Sequence, residues 1–250
     1  MTIIAVANQK GGVAKTTTVQ TLGAAFSDLG LDVLLVDLDP QSCLTYSMGV
    51  DADGLDLSVH DVMLDRTTAG KARLDLEGAD LLPSTIDLAG SEVHLLTKTG
   101  REHVLAKALR PLRSEYDLIL IDCPPSLGLL TINGLTAAQS LLIPVQPETL
   151  SRRGVGQLLE TVDDVRSYTN PKLETLGAVA TMYDGRTRLA QRVLQELPEQ
   201  YGLEVLRPPI PKTVRVAEAP ELGTTVLEYA PRSQAAQAYR DLAVTIRERL

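Results

Sequence analysis

The sequence predicts an α/β protein, a mostly parallel β-sheet with helices on both faces, and three observations point to it. Short aliphatic runs recur at residues 2–7, 33–36, 118–121, 140–145 and 176–182. None alternates with polar residues, so each reads as a strand buried on both faces. Between the runs lie segments whose apolar residues recur at helical spacing, the alternation that builds a parallel sheet. Glycines and carboxylates stand just after strand ends, where ligands collect in open parallel sheets.

Taken in order, run 2–7 leads into Gln9-Lys10-Gly11-Gly12-Val13-Ala14-Lys15-Thr16-Thr17. Beyond it Val19, Leu22, Gly23 and Phe26 keep helical spacing until Leu29-Gly30, where the glycine reads as a stop. A strand that enters a glycine-rich turn and then a helix leaves unpaired backbone N–H groups at the positive end of the helix dipole. Such a turn cradles a polyphosphate. Lys15 would reach the β- and γ-phosphates, and the Thr16 hydroxyl would ligate a bridging magnesium ion. The strict pattern G-x-x-x-x-G-K-[ST] nevertheless fails, because Gln9 and Ala14 stand at its two glycine positions.

Run 33–36 ends in Asp37-Leu38-Asp39-Pro40-Gln41, which brings two carboxylates to the same mouth. Residues 42–80 carry the least pattern. The acidic stretch 51–56 lacks the closing glutamate of a calcium loop and reads as solvated, while Ser58 caps a short helix over 58–64. Residues 79–82 read as a strand closed by Pro83, and 85–96 and 101–113 as helices, the second with a stripe of Val104, Leu105, Ala108, Leu109 and Leu112. Residues 118–121 end in Asp122, the Walker B pattern, in which a buried strand delivers one carboxylate to the water shell of magnesium. Helices at 128–138 and 154–168 continue the alternation, and 231–250 is an amphipathic helix with Ala238, Leu242, Ile246 and Leu250 on the stripe that packs on the sheet.

The 250 residues suffice for one α/β domain spanning 1–250, and 44% hydrophobic with 22% charged residues is the composition of a globular protein. No basic n-region or long apolar stretch marks a secretion signal or a membrane span, so a cytoplasmic protein is expected. Cys43 and Cys123 have no C-x-x-C spacing and read as buried small apolar residues. With aromatics at 3% and no tryptophan, base-stacking platforms are not expected. The net charge of −8 is uneven: residues 1–150 carry 10 basic and 19 acidic side chains, residues 151–250 carry 14 and 13. A local basic surface can therefore exist in the C-terminal part.

The run Lys10-Gly11-Gly12-x-x-Lys15-Thr16, with its extra lysine before the paired glycines, resembles the deviant phosphate loop of the ParA/MinD/nitrogenase-iron-protein group of P-loop ATPases. Asp37-x-Asp39-Pro40-Gln41 resembles the switch I signature of ParA-type proteins, and Cys123-Pro124-Pro125-Ser126 their switch II. The stretches 181–187 and 210–220 are similar to matching segments of the ParA/Soj proteins. One departure is Ala14, where most relatives have glycine; it is expected to take a helix-compatible backbone. Another is Leu150 in the loop from Gln146 to Ser151, where relatives usually have tyrosine.

The resemblance implies a P-loop ATPase that uses ATP and Mg²⁺, with Lys10, Lys15 and Asp39 as its catalytic residues. ATP would lie on Lys10, Gly11, Gly12, Val13, Ala14, Lys15, Thr16 and Thr17, with Met182 and Pro211 toward the adenine. Mg²⁺ would involve Thr16, Asp39 and Asp122, with Asp37 in its outer shell or in the lysine network. Lys10 would cross to the nucleotide of a second subunit, making an ATP-dependent homodimer. Arg186, Lys212 and Arg215 would bind double-stranded DNA without sequence preference, with Arg188 and Arg192 extending the patch. A nucleoid-associated partition ATPase follows, stimulated by a ParB-like centromere-binding protein and not bound to membrane. The competing readings are a MinD-like membrane-associated positioning ATPase, which an amphipathic extension would favour, and an iron–sulfur reductase, which would need cysteines at a dimer axis.

Overall fold

A computed structural model of the chain describes residues 1–148 and 151–250. Among the described residues seven strands form one sheet: β1 (Thr2–Val6), β2 (Val33–Asp37), β3 (Asp80–Leu82), β4 (Leu118–Asp122), β5 (Ser140–Val145), β6 (Glu174–Ala180) and β7 (Val205–Leu206). Their order across the sheet is β3-β2-β4-β1-β5-β6-β7, and every pairing between them is parallel. Parallel neighbours need crossovers, and helices supply them. In chain order these are α1 (Lys15–Asp28), α2 (Cys43–Ser47), α3 (Val59–Met63), α4 (Ala69–Ala72), α5 (Leu88–Leu95), α6 (Val104–Leu109), α7 (Leu129–Ala137), α8 (Ser151–Tyr168), α9 (Arg188–Tyr201), α10 (Val214–Glu218), α11 (Val226–Tyr229) and α12 (Gln234–Arg247).

The period-two geometry of a strand divides the core in two. In β1, Ile3 and Ala5 face one layer with Leu105, Leu135, Val155 and Leu158; Ile4 and Val6 face the other with Leu22, Phe26, Tyr239 and Leu242. Both layers are buried, which is why the strands read as continuous apolar runs. Each large side chain buried there contributes roughly 1.5–3 kcal/mol. Helix α1 approaches β2 so closely at Gly23 that a Cβ would meet Leu35 Cδ2 at 2.7 Å, and alanine at that position would force the Leu35 side chain to shift.

Several expected boundaries move for identifiable reasons. The helix expected over 101–113 is α6 flanked by 3₁₀ turns at Arg101–His103 and Arg110–Ser114, because Pro111 at the start of the second turn lacks the N–H that would continue the α pattern. The last helix begins at Gln234, where the Ser233 hydroxyl accepts from Ala236 N at 3.1 Å, and it ends at Arg247. Strand β6 begins two residues earlier than expected and stops before Met182, whose φ is 48°. Ser58 caps α3 as expected, in a capping box with Asp61. The departure expected at Leu150 lies outside the described residues.

Candidate active site

Strand register sets the floor of the site. Val6 of β1 and Asp37 of β2 both pair with Asp122 of β4, so three strand ends stand level beneath the turn that joins β1 to α1. Within that turn Gly12 has φ 71° and Ala14 has φ 61° and ψ 36°. The expectation that Ala14 takes a helix-compatible backbone is therefore wrong. The chain must turn back into α1 while keeping its N–H groups pointed inward, and a left-handed residue at the cap makes that reversal. An L-residue with a Cβ meets a cost of about 1–2 kcal/mol there.

Three side-chain bonds over-determine the strained turn. Asn8, buried, donates from Nδ2 to the Pro144 carbonyl at 2.7 Å and accepts from Lys10 N at 3.0 Å. From β6's exit, Thr181 Oγ1 donates to the Val13 carbonyl at 2.9 Å. None of these contacts has a sequence signature beyond a polar residue just past an apolar strand.

Lys15 is only 7% exposed, and its Nζ has one long contact, 3.4 Å to the Lys10 carbonyl. Burial pushes its pKa down, while Asp122, Cys123 and Asp39 pull it up. Beside it Thr16 Oγ1 donates to Asp122 Oδ2 at 2.6 Å. Asp122 is 1% exposed, and its Oδ1 has no hydrogen-bond partner. Burial foremost, then the charge of Asp37, pushes the Asp122 pKa well above the ordinary carboxylate range, against the Thr16 bond and Lys15. A buried, half-satisfied carboxylate beside a threonine hydroxyl is a donor set suited to a hard, hydrated dication. Thr16 and Asp122 would hold Mg²⁺ there. Among the described residues no group of three His, Cys, Asp or Glu side chains could hold a metal ion, so phosphate oxygens and water would complete its shell.

Asp37 is expected in the magnesium outer shell or the lysine network, beside Asp122, and its bonds fix where it stands: its Oδ2 accepts from Thr45 N and Thr45 Oγ1, both at 2.8 Å, and its Oδ1 accepts from Asp39 N at 3.1 Å. Those bonds pin the segment after β2, while burial lifts the Asp37 pKa to about 6. Asp39 accepts from Gln41 N at 2.9 Å and lines the cavity above the turn.

That cavity measures about 800 Å³, enough for a nucleotide. Its wall includes Gly11, Gly12, Ala14, Lys15, Thr16 and Thr17 from the turn, Asp39 and Cys43 from the segment after β2, and Pro125 and Pro220. Val13, Asp122, Met182 and Pro211 are not in its wall; Pro211 pairs with Tyr183 as an isolated parallel bridge. Cys43, expected to be buried, is exposed because α2 presents its first residue to the cavity, whereas Cys123 is buried.

Lys10 Nζ lies 2.6 Å from Glu148 Oε2. Arg186, Lys212 and Arg215 are exposed; Arg186 and Lys212 lie on two loops stitched together by Tyr183 N to Ile210 O, 2.9 Å, and Lys212 N to Tyr183 O, 3.1 Å, while Arg215 lies in α10 and Arg188 and Arg192 in α9. Arg186 donates from Nε and Nη2 to Asp184, both at 2.9 Å, and holds that carboxyl down at about 2. Arg215 contacts Glu218 at 3.3 Å and lies over the Tyr229 ring.

A family described as an AAA domain matches residues 1–175. The chain is 44% identical over 243 residues to the sporulation initiation inhibitor protein Soj of Bacillus subtilis, covering 96% of each. It is 45% identical over 247 residues to the chromosome-partitioning ATPase Soj of Thermus thermophilus, covering 99% of this chain and 96% of that protein. The chain belongs to the ParA/Soj family. It is thus a partition ATPase that uses ATP and Mg²⁺. A crystal structure named as cobyrinic acid a,c-diamide synthase from Mycobacterium smegmatis, with bound ATP analog and magnesium, superposes with TM-score 0.90 at 48% identity over 99% of this chain and 95% of that one. The ParA/Soj assignment accounts for the doubled lysine of the turn and for the Asp-rich strand ends.

Proposed function

We propose that this partition ATPase is a nucleotide-gated DNA clamp, with residues 1–250 acting as one domain. ATP lies in the turn with Lys15 on its β- and γ-phosphates and the N–H groups of residues 11–17 around them. Thr16 and Asp122 would hold Mg²⁺, which would offset the charge of the phosphates. Asp39 orients the attacking water from the cavity wall. Lys10 leaves Glu148 and reaches the nucleotide of a second copy, so that triphosphate holds two subunits face to face.

Support for a facing copy comes from the cavity rim, where Tyr46 and Ile86 are exposed, with Val93 of α5 and Leu96 just after that helix exposed as well. Apolar side chains grouped around a charged mouth mark a surface that something covers. The dimer sets two Arg186/Lys212/Arg215 patches side by side on duplex DNA, and linked patches bind far more tightly than one alone. Hydrolysis removes the γ-phosphate and the clamp opens, at a slow rate that a ParB-like protein raises. In the cell such a clamp is nucleoid-associated. Among the described residues no helix is long and apolar enough to cross a membrane.

The observation that carries the reading is the tie from Thr181 to the Val13 carbonyl, which joins the nucleotide turn to the strand exit bearing Arg186. The test is a titration of random duplex DNA at several salt concentrations, with and without a non-hydrolysable ATP analog. Binding should require the analog and weaken steeply with salt, and Lys10→Ala should lose both the dimer and the DNA. Equal DNA affinity without nucleotide would refute the clamp.

A further inference from the structure

Helix α2 is five residues long, and its cap residue Ser42, at φ 53°, makes no side-chain hydrogen bond to it. A helix that short is marginal by itself, and its first N–H groups need acceptors. Asp37 supplies one from the end of β2. Its Oδ2 accepts from the amide of Thr45, the third residue of α2, and from the hydroxyl of the same residue, both at 2.8 Å. Thr45 is therefore the residue through which α2 sits on Asp37.

The Thr45 hydroxyl also works in the other direction. Its oxygen accepts from the amide of Ser84 at 2.9 Å, just past the end of β3, so one side chain ties the exit of β2 to the exit of its parallel neighbour. Thr45, Asp37 and Ser84 are each 0% exposed. Burial keeps water from competing for these bonds and makes the loss of any one of them costly.

The second oxygen of Asp37 carries this anchoring to the nucleotide cavity. Oδ1 accepts from Asp39 N at 3.1 Å, and the Asp39 carbonyl accepts from Ser42 N at 2.9 Å, so the backbone of Asp39 is held on both sides. Asp39 Oδ1 is turned back to Gln41 N at 2.9 Å, whereas Oδ2 makes no hydrogen bond among the described residues. Oδ2 is thus the oxygen left for a water. Where it stands follows from the Asp39 backbone, hence from Asp37 and from the hydroxyl that orients Asp37. Misplacing a reacting group by about 1 Å can cost on the order of 100-fold in rate.

We propose that Thr45 is a positioning residue for ATP hydrolysis: its hydroxyl fixes Asp37, and Asp37 fixes the backbone of Asp39, although Thr45 itself is not in the wall of the nucleotide cavity. The proposal rests on the reading above in which Asp39 orients the attacking water. The variants are Thr45→Val, which keeps the shape and loses the hydroxyl, and Thr45→Ser, which keeps the hydroxyl and loses the methyl group. Phosphate release gives kcat and KM for both beside wild type and Asp39→Ala. Thr45→Val should lose at least ~10-fold in kcat with KM for ATP within about threefold of wild type, and Thr45→Ser should keep kcat within about threefold. In parallel, hydrogen exchange followed by NMR should find the Asp39 and Ser84 amides protected in wild type and exchanging faster in Thr45→Val. Wild-type kcat in Thr45→Val would overturn the proposal, as would a Thr45→Ser enzyme as slow as Thr45→Val. Unprotected Asp39 and Ser84 amides in wild type would overturn it as well, and that result requires no variant to fold. Full turnover by Asp39→Ala would refute the role of Asp39 and the positioning with it, whereas an idle Asp39→Ala beside a fully active Thr45→Val would refute the positioning alone.

Discussion

Replacing Ala14 with glycine should make the nucleotide-free protein more stable, although the substitution removes a methyl group and adds nothing. Ala14 sits at φ 61°, ψ 36° at the cap of α1, and Thr18 N donates to its carbonyl at 2.9 Å, so the residue cannot leave this region without losing the first turn. The left-handed backbone costs an L-residue about 1–2 kcal/mol. Glycine removes that cost but gives the unfolded chain more freedom, worth about 0.4–1 kcal/mol in the other direction. The net expectation is a gain of about 0.5–1 kcal/mol, or roughly 1–4 °C in Tm for a chain of this size. Gly12→Ala supplies the opposite arm: at φ 71° with no atom within 4 Å of the added Cβ, it tests backbone strain without a clash and should destabilise. Urea unfolding of wild type and both variants, with the slope m unchanged, measures all three. An Ala14→Gly midpoint at or below wild type would refute the account of the turn.

Asp39→Ala should keep ATP affinity while stopping turnover, checked by nucleotide titration beside phosphate release; retained turnover would remove its assigned role. Thr45→Val deprives Asp37 Oδ2 of a donor and the Ser84 amide of its acceptor at 2.9 Å, so a loss of about 1–3 kcal/mol should appear in the urea midpoint. Asp184→Asn releases the Arg186 fork from its own carboxylate and should tighten ATP-dependent DNA binding by up to about fivefold, the worth of an exposed ion pair. Weaker binding would mean that Asp184 positions the arginine rather than competing for it.

The parts of the fold legible in the sequence were those that obey a period. Strands β1, β2, β4 and β5 are buried on both faces and read as unbroken apolar runs, and α1 is long enough to show its stripe. Helices α2 and α4, of five and four residues, are too short to show one. Lys15, Thr16 and Asp122 were legible because their spacing relative to strand and helix is itself the chemistry. Asn8, Thr45 and Thr181 were not, because each acts through a partner distant in sequence or outside any repeating pattern, Pro144 in the first case and Val13 in the last. Ala14 misled because a residue name does not disclose its φ; the glycine usual at that place was the usable signal.

The contact between Lys10 and Glu148 bears on how easily the proposed pair of subunits would come apart. In a lone subunit the Lys10 ammonium already rests on the Glu148 carboxylate. Pairing two copies would then exchange one ionic neighbour for another, and the driving force for assembly would be the small remainder between two comparable attractions. An assembly balanced in this way can be tipped by the loss of a single phosphate, whereas one built on a newly created ion pair would tend to lock.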